Sequence, residues 1–156
     1  MVSIQPEDFD AAAEYQALRD SGAGTGAIVT FTGLVRDSGD KPDVRGLYLE
    51  HFPGMTEAVI EDVIQQATAR WDIREARVIH RIGHLELSDQ IVFVGVASAH
   101  RGDSFRACQF IMDALKTSAP FWKKELMSEG EHWVEQKASD RQQADQWLDQ
   151  DSDRES

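Results

Sequence analysis

A single cysteine, Cys108, stands in 156 residues, so the chain cannot close an internal disulfide and a reducing compartment suits it. No apolar run approaches the roughly 18 residues that a membrane-spanning helix needs. The opening MVSIQPEDFD lacks the basic and apolar regions of a secretory signal, and the expected location is the cytoplasm. Positive charge is scarce: 16 Lys and Arg face 28 Asp and Glu, for a net charge of −12. That balance removes the extended basic footprint that non-specific nucleic-acid binding requires, and it disfavours an anionic membrane surface. The five histidines, His51, His80, His84, His100 and His132, are scattered, and one cysteine without a paired-histidine spacing makes no zinc cage. Neither a G-x-S-x-G elbow nor a Walker loop occurs, and no cofactor is expected.

What remains is an ordinary globular composition, 41% apolar and 28% charged. Without repeats or a dividing linker, the expected organisation is one domain over residues 1–148 and an acidic, frayed tail over 149–156. Pro6 to Asp20 reads as a short acidic helix with Pro6 in its first turn. Ser21 to Gly26 reads as a connector and Ala27 to Val35 as a strand. Asp37 to Asp43 is a loop, and Leu47 to Phe52 a second strand that Pro53-Gly54 ends. Met55, Val59, Ile60, Val63, Ile64 and Ala67 define an amphipathic helix ending near Trp71. Arg77 to Ile82 and His84 to Ser88 read as strands. Gln90 to Ala97 is apolar at alternate positions of both kinds, the pattern of a central strand covered on two sides. Phe121 to Met127 and His132 to Gln136 suit a hairpin around Glu129-Gly130. A capping-box pattern from Ser139 to Gln142 opens a last helix that docks Ala144, Trp147 and Leu148. Strands and helices in this order, with antiparallel hairpins, indicate an α+β fold.

The stretch with most chemistry is Ser98 to Glu125. Its polar turn, Gly102 to Ser104, precedes a helix with Phe105, Cys108, Ile111, Met112 and Leu115 on one face, stopped by Pro120. His100 and Arg101 fall at a strand's carboxyl end and ahead of a helix N-terminus, a combination that suits an anion. Lys116 falls in the last turn, and Lys123 and Lys124 on the next segment. Taken singly, each feature also has an ordinary explanation, as a solvated loop or as cations complementing a helix dipole. Local charge favours the anion site. Ser98 to Lys124 holds five basic residues against two acids, whereas Met1 to Gly24 carries −4 and Leu126 to Ser156 carries −6. Cys108 lies on the apolar face and reads as a buried, inert thiol. His80, alternating with Val78 and Ile82, reads as a core or interface histidine, and His51 reads as structural too.

That stretch, SAHRGDSFRACQFIMDALKTSAPFWKKE, together with TFTGLVRD (Thr30 to Asp37), LEHFPGMTE (Leu49 to Glu57) and VIHRIGHLELSD (Val78 to Asp89), resembles the large, catalytic subunit of molybdopterin synthase. The resemblance runs from about Gly26 to Asp140. It implies an α/β hammerhead-type single domain with a mixed, largely antiparallel sheet, which dimerises. It implies a sulfurtransferase of molybdenum cofactor biosynthesis that converts a cyclic pyranopterin monophosphate to molybdopterin. Sulfur then comes from the C-terminal Gly-Gly thiocarboxylate of a small ubiquitin-like subunit, within a heterotetramer built on a homodimer of this chain.

By motif, the resemblance implies that Leu34, Val35, Arg36, His100 and Arg101 bind substrate. Lys116 and Lys123 are the implied catalytic pair, with Lys124 and Glu125 continuing the contact. Lys137 stands where relatives often carry an arginine that reaches across the dimer. Phe31, Phe121 and Trp122 are candidate walls for the diglycine tail. A non-catalytic, dimeric phosphate- or nucleotide-binding module with the same basic island is the alternative. Only the enzyme requires a thiocarboxylated partner.

Overall fold

The computed structural model describes residues 1–37, 44–127, 130–133 and 142–147. Its elements run β1 (Val2–Gln5), α1 (Ala11–Arg19), β2 (Ala27–Leu34), β3 (Val44–His51), α2 (Met55–Arg70), β4 (Ile73–Arg81), β5 (Gly83–Glu86), β6 (Gln90–Ser98), α3 (Arg101–Thr117), β7 (Phe121–Met127) and β8 (Gly130–Trp133). Residues 142–147 form a further helical turn and a half. The strands divide between two four-stranded sheets, ordered β1-β4-β6-β2 and β5-β3-β7-β8. Every pairing is antiparallel except β1 with β4. The fold is thus α+β and largely antiparallel, with the strands shared between two sheets.

β6 carries the core. It lies between β4 and β2, and Val92 to Ser98 are all buried. Val92, Val94 and Val96 pack with Ile60 and Val63 of α2 and with Ala107, Cys108 and Ile111 of α3. Phe93 and Ala97 point the other way, onto Phe9 and Leu18. The two-sided apolarity of this segment has the cause expected of it, one helical layer on each face. Trp71, Phe110 and Trp147 close the large cluster edge to face, with centroids 5.5–5.8 Å apart. The Trp147 indole N–H donates to Asp113 Oδ2 at 2.7 Å, which pins the 142–147 turn to α3.

Three local features differ from the sequence reading. The N-terminal segment is a strand before it is a helix: β1 pairs with β4, and α1 starts only at Ala11. Asp10, not Pro6, organises that start, its carboxylate accepting from the Ala12 and Ala13 N–H groups. The Gly102 to Ser104 turn is the first turn of α3 itself. Ser104 is buried there, bonded to Ser98 and to the Ala27 carbonyl oxygen, while Phe105 is 62% exposed. Of the last hairpin, β8 begins at Gly130, two residues earlier than expected. The expected tail at 149–156, the 139–141 cap, Leu148 and most of the Asp37–Asp43 loop lie outside the described residues.

Gly95 shows how close α1 comes to β6. A Cβ added there meets Leu18 Cδ1 at 2.5 Å and the Phe93 ring at 2.9 Å, and both side chains are buried. Gly95→Ala is expected to destabilise the fold by about 1–3 kcal/mol through overpacking. Urea unfolding of the two proteins measures it, and equal midpoints would show that α1 does not press on this strand.

Candidate functional site

The link from β6 to α3 is only Ala99 and His100, so α3 turns straight back across sheet β1-β4-β6-β2. His100 is its N-cap residue, in extended conformation and without a side-chain cap bond, and Arg101 is its first helical residue. Both are exposed. Lys116 falls in the last turn, exposed, some 22 Å along the axis from Arg101 at 1.5 Å per residue. Pro120 then ends the helical path, and the Phe121 N–H donates to the Ala119 carbonyl oxygen at 3.0 Å as the chain enters β7.

On β7 the strand alternation sorts the candidates. Phe121, Lys123 and Glu125 share one face, and Trp122 and Lys124 the other. Phe121 stacks on His80, with centroids 3.9 Å apart and planes at 20°. Glu125 is buried on that face, two residues beyond Lys123. Lys124 is turned away: its Nζ lies 2.8 Å from Glu131 Oε2 and 4.6 Å from the Trp133 ring centroid. Trp122 packs on Phe52 on that same side, centroids 4.2 Å apart. Lys124 and Trp122 therefore belong to the hairpin's outer face and not to the face of Lys123.

Leu34 to Arg36 leave β2 through a bulge at Gly33/Leu34. Leu34 is 53% exposed and Arg36 is exposed as well. Val35 is buried with Leu47, Leu49 and Leu85. Its N–H donates to the Asp89 carbonyl oxygen at 2.8 Å, and its carbonyl accepts from Ser88 N–H at 2.7 Å. Val35 is thus a residue of the core. Strand register fixes where these groups stand. Leu34 pairs with Gln90 and His80 with Val92, at the start of β6, whereas Ala27 pairs with Ser98 at its end. Arg36, Lys116 and His80 thus stand toward the start of β6, and Lys123 of the second sheet follows Phe121, which stacks on His80. His100 and Arg101 stand at the other end, about 25 Å away by the 3.3 Å rise of an eight-residue strand. One copy of the chain does not unite the two groups. Lys137 lies outside the described residues.

Two histidines at the lysine end escape a reading of motifs, because alternation with Val78 makes His80 look like core. His80 is held by its stack on Phe121 and by Nδ1, 2.8 Å from the Arg81 carbonyl oxygen. Burial pushes its pKa down to about 4, and the charges of Lys116, His51 and Lys123 push in the same direction. His51 Nε2 sits 3.1 Å from Glu57 Oε1, and Glu57 Oε2 accepts the Gly54 N–H at 2.5 Å. Burial raises the Glu57 carboxyl, but its backbone and His51 partners outweigh that and leave it lowered. Cys108 is buried, its thiol pushed up to about 12 by burial, and is no nucleophile. Among the described residues, no group of three or more His, Cys, Asp or Glu is placed to hold a metal ion. Nor is any helix among them long and apolar enough to cross a membrane.

The depressed His80 value makes a pH prediction. The folded site holds the neutral ring, so below about pH 6.5 the unfolded chain takes up the proton first. Stability from this group is complete above 6.5 and falls as pH drops towards 4, by about 3 kcal/mol in all. Urea unfolding between pH 7 and 4 measures the fall, and His80→Phe should flatten it. Parallel pH profiles for parent and variant would contradict it.

The chain's likenesses agree with this arrangement of elements. Residues 4–118 match the family model described as MoaE protein. The molybdopterin synthase catalytic subunit of Vibrio cholerae serotype O1 is 53% identical over 146 residues, covering 94% of this chain and 97% of that one. Among solved structures, the molybdopterin biosynthesis MoaE protein from Burkholderia ambifaria superposes with a TM-score of 0.81 at 44% identity, over 94% of this chain and 97% of that one. Molybdopterin synthase from Staphylococcus aureus gives 0.78 at 29% identity, over 85% and 96%. With the family's motifs lying on β2, β3, β4, α3 and β7 and the match running through nearly all of the chain, this protein is a member of the MoaE family.

Proposed function

We propose that this chain is the catalytic subunit of a molybdopterin synthase. It moves sulfur from the C-terminal Gly-Gly thiocarboxylate of a small ubiquitin-like partner onto a cyclic pyranopterin monophosphate in the cytoplasm. What supports the proposal is that Lys116, in the last turn of α3, and Lys123, near the start of β7 and two residues after the Phe121 that stacks on His80, both bear electrostatically on that histidine. The protein's own thiol is buried and protonated, so sulfur has to arrive from outside, and the name of the Vibrio relative, a catalytic subunit, fits an assembly with a second component. Arg36 stands at the same end and suits the substrate's anionic groups, since guanidinium offers a planar pair of donors to phosphate. One lysine stabilises the oxyanion formed as the thiocarboxylate sulfur adds, and the other delivers a proton to the departing oxygen, which leaves as water; a second water then cleaves the acyl–sulfur bond, so that the partner departs with a C-terminal carboxylate and the sulfur stays on the pterin. Glu125 lies on the same strand face, two residues beyond Lys123. Leu34, exposed beside Arg36, offers an apolar wall.

His100 and Arg101 enter this scheme only through a second copy. They stand at the far end of the sheet from Lys116, so we place them in the site of the opposite protomer of a homodimer, where they add phosphate contacts. Lys137 has no assigned part in this reading.

Two experiments test it. In single-turnover conversion with thiocarboxylated partner, Lys116→Ala should slow dithiolene formation by about 10²–10⁴ without loss of folding. Lys116→Arg should rescue little, because arginine keeps the charge but does not give up its proton. A fast Lys116→Arg protein would reduce the lysine to a positive charge. Mixing inactive Arg101→Ala with inactive Lys116→Ala should restore about a quarter of parental activity, since half of random dimers are mixed and each holds one intact site. No recovery after verified subunit exchange would place His100 and Arg101 outside the site.

A further inference from the structure

The scheme above leaves the His51–Glu57 pair without work. Glu57 is the third residue of α2, and both of its carboxylate oxygens are engaged. Oε2 accepts the Gly54 N–H at 2.5 Å, and Oε1 lies 3.1 Å from His51 Nε2. A carboxylate only accepts, so Nε2 carries the ring proton and the neutral ring keeps its lone pair on Nδ1. The turn that holds the pair is tied down. The buried Thr56 hydroxyl accepts the Phe52 N–H at 3.0 Å and donates to the Pro120 carbonyl oxygen at 3.0 Å, which fastens the β3–α2 turn to the residue just ahead of β7. Strand register completes the placement. His51 stands directly opposite Phe121 in the β3–β7 pairing, and Leu49 opposite Lys123. His51 and Lys123 are therefore diagonal neighbours on one sheet face, about 7–8 Å apart and within reach of a long side chain. The His51 side chain is 13% exposed, sheltered without being sealed.

We propose that His51, backed by Glu57, is the general base for cleavage of the acyl–sulfur bond, its Nδ1 taking a proton from the water that attacks the carrier's terminal acyl carbon. The inference rests on the sulfur-transfer reading, which supplies that bond, and it adds the group that breaks it. The water oxygen bonds to the acyl carbon while its proton passes to Nδ1. The carbon–sulfur bond then breaks, and its electron pair leaves with the sulfur, which remains on the pterin as a thiolate. The carrier departs as a carboxylic acid, which ionises, and the imidazolium returns its proton to solvent. No oxidant or reductant is needed. A neutral imidazole suits this turnover because it both takes up and releases a proton near neutral pH. Glu57 fixes the tautomer that leaves Nδ1 bare, and its negative charge stabilises the imidazolium that forms.

The test is a single turnover of thiocarboxylated carrier and substrate, quenched at intervals and read by intact mass. That readout separates the covalent carrier–sulfur–substrate adduct from carrier released as carboxylate. In His51→Phe, breakdown of the adduct should slow by about 10²–10⁴, so that the adduct accumulates. In Glu57→Gln the carboxamide oxygen still accepts the Gly54 N–H, while its NH₂ group faces Nε2 and drives the ring proton to Nδ1. The adduct should accumulate there too. Added imidazole should restore part of the breakdown rate in His51→Ala, which a purely structural role for the side chain would not allow. Breakdown at the parental rate in a folded His51→Phe protein overturns the proposal. So does a parent protein whose ¹⁵N-labelled His51 ring, assigned through its backbone, carries its proton on Nδ1, and that measurement needs no variant to fold. A parent protein that places no sulfur on the substrate removes the sulfur-transfer reading and this proposal with it, whereas an adduct that forms and breaks down independently of His51 removes the proposal alone.

Discussion

The need to cover β6 on both faces dictates most of this molecule. Seven consecutive residues, Val92 to Ser98, are buried, and a strand of that kind needs a layer above it and another below. α2 and α3 supply one and α1 the other. The tightness is visible at Gly95, where there is no space for a methyl group between Leu18 and Phe93. With a link of only two residues, α3 has no choice but to run back antiparallel to the strand it covers. Its two ends are therefore thrown to opposite ends of the sheet. The distance between Arg101 and Lys116 is a consequence of core packing, and whatever chemistry joins them has to accept it.

Electrostatics at the lysine end follow from the same packing. Two neighbouring ammonium groups repel by a few kcal/mol at an effective dielectric constant near 20. A third cation among them would add a comparable amount. His80 avoids this by staying neutral, chiefly because burial already disfavours its charged form, with the neighbouring charges adding to the effect. Phe121, stacked on the ring, helps to supply that burial, and it belongs to the same strand face that presents Lys123. Burial of the histidine and presentation of the lysine are one packing event. Glu57 brings negative charge to the neighbourhood through His51, while its other carboxylate oxygen receives the Gly54 N–H at the start of α2.

The parts of the fold that were legible in the sequence are those whose signal is local and periodic. β6 announced itself by apolar residues on both faces, α2 by its stripe, and the end of α3 by Pro120. β1 did not, because four residues, VSIQ, carry no pattern of their own and become a strand only by pairing with β4 more than seventy positions later. Phe105 misled for a related reason. Its spacing from Cys108 is helical, but the first turn of α3 is fastened by the Ser104 hydroxyl, and that rotates Phe105 to the surface. At the candidate site, the lysines were legible as cations at the end of one element and the start of the next. The opposite facing of Lys123 and Lys124 follows from strand alternation once β7 is known to be a strand. The setting of His80 was not legible, since the charges that bear on it come from β3, α3 and β7 and no spacing along the chain brings those elements together.

The separation of the cations also bears on how an acidic protein can hold an anion site at all. Placing Arg36, His100, Arg101, Lys116 and Lys123 at one point of a single copy would concentrate repulsion that no described acid nearby is numerous enough to offset. Dividing them between the ends of the sheet keeps each copy's local charge modest, and helix α3 does the dividing. In the dimeric reading the repulsion arises only on assembly, where the phosphate of the substrate can neutralise it. The net charge of −12, which on composition alone argues against an anionic ligand, then works in the site's favour. Acidic surface elsewhere leaves the few places where cations meet as the positive features that an anionic ligand can find.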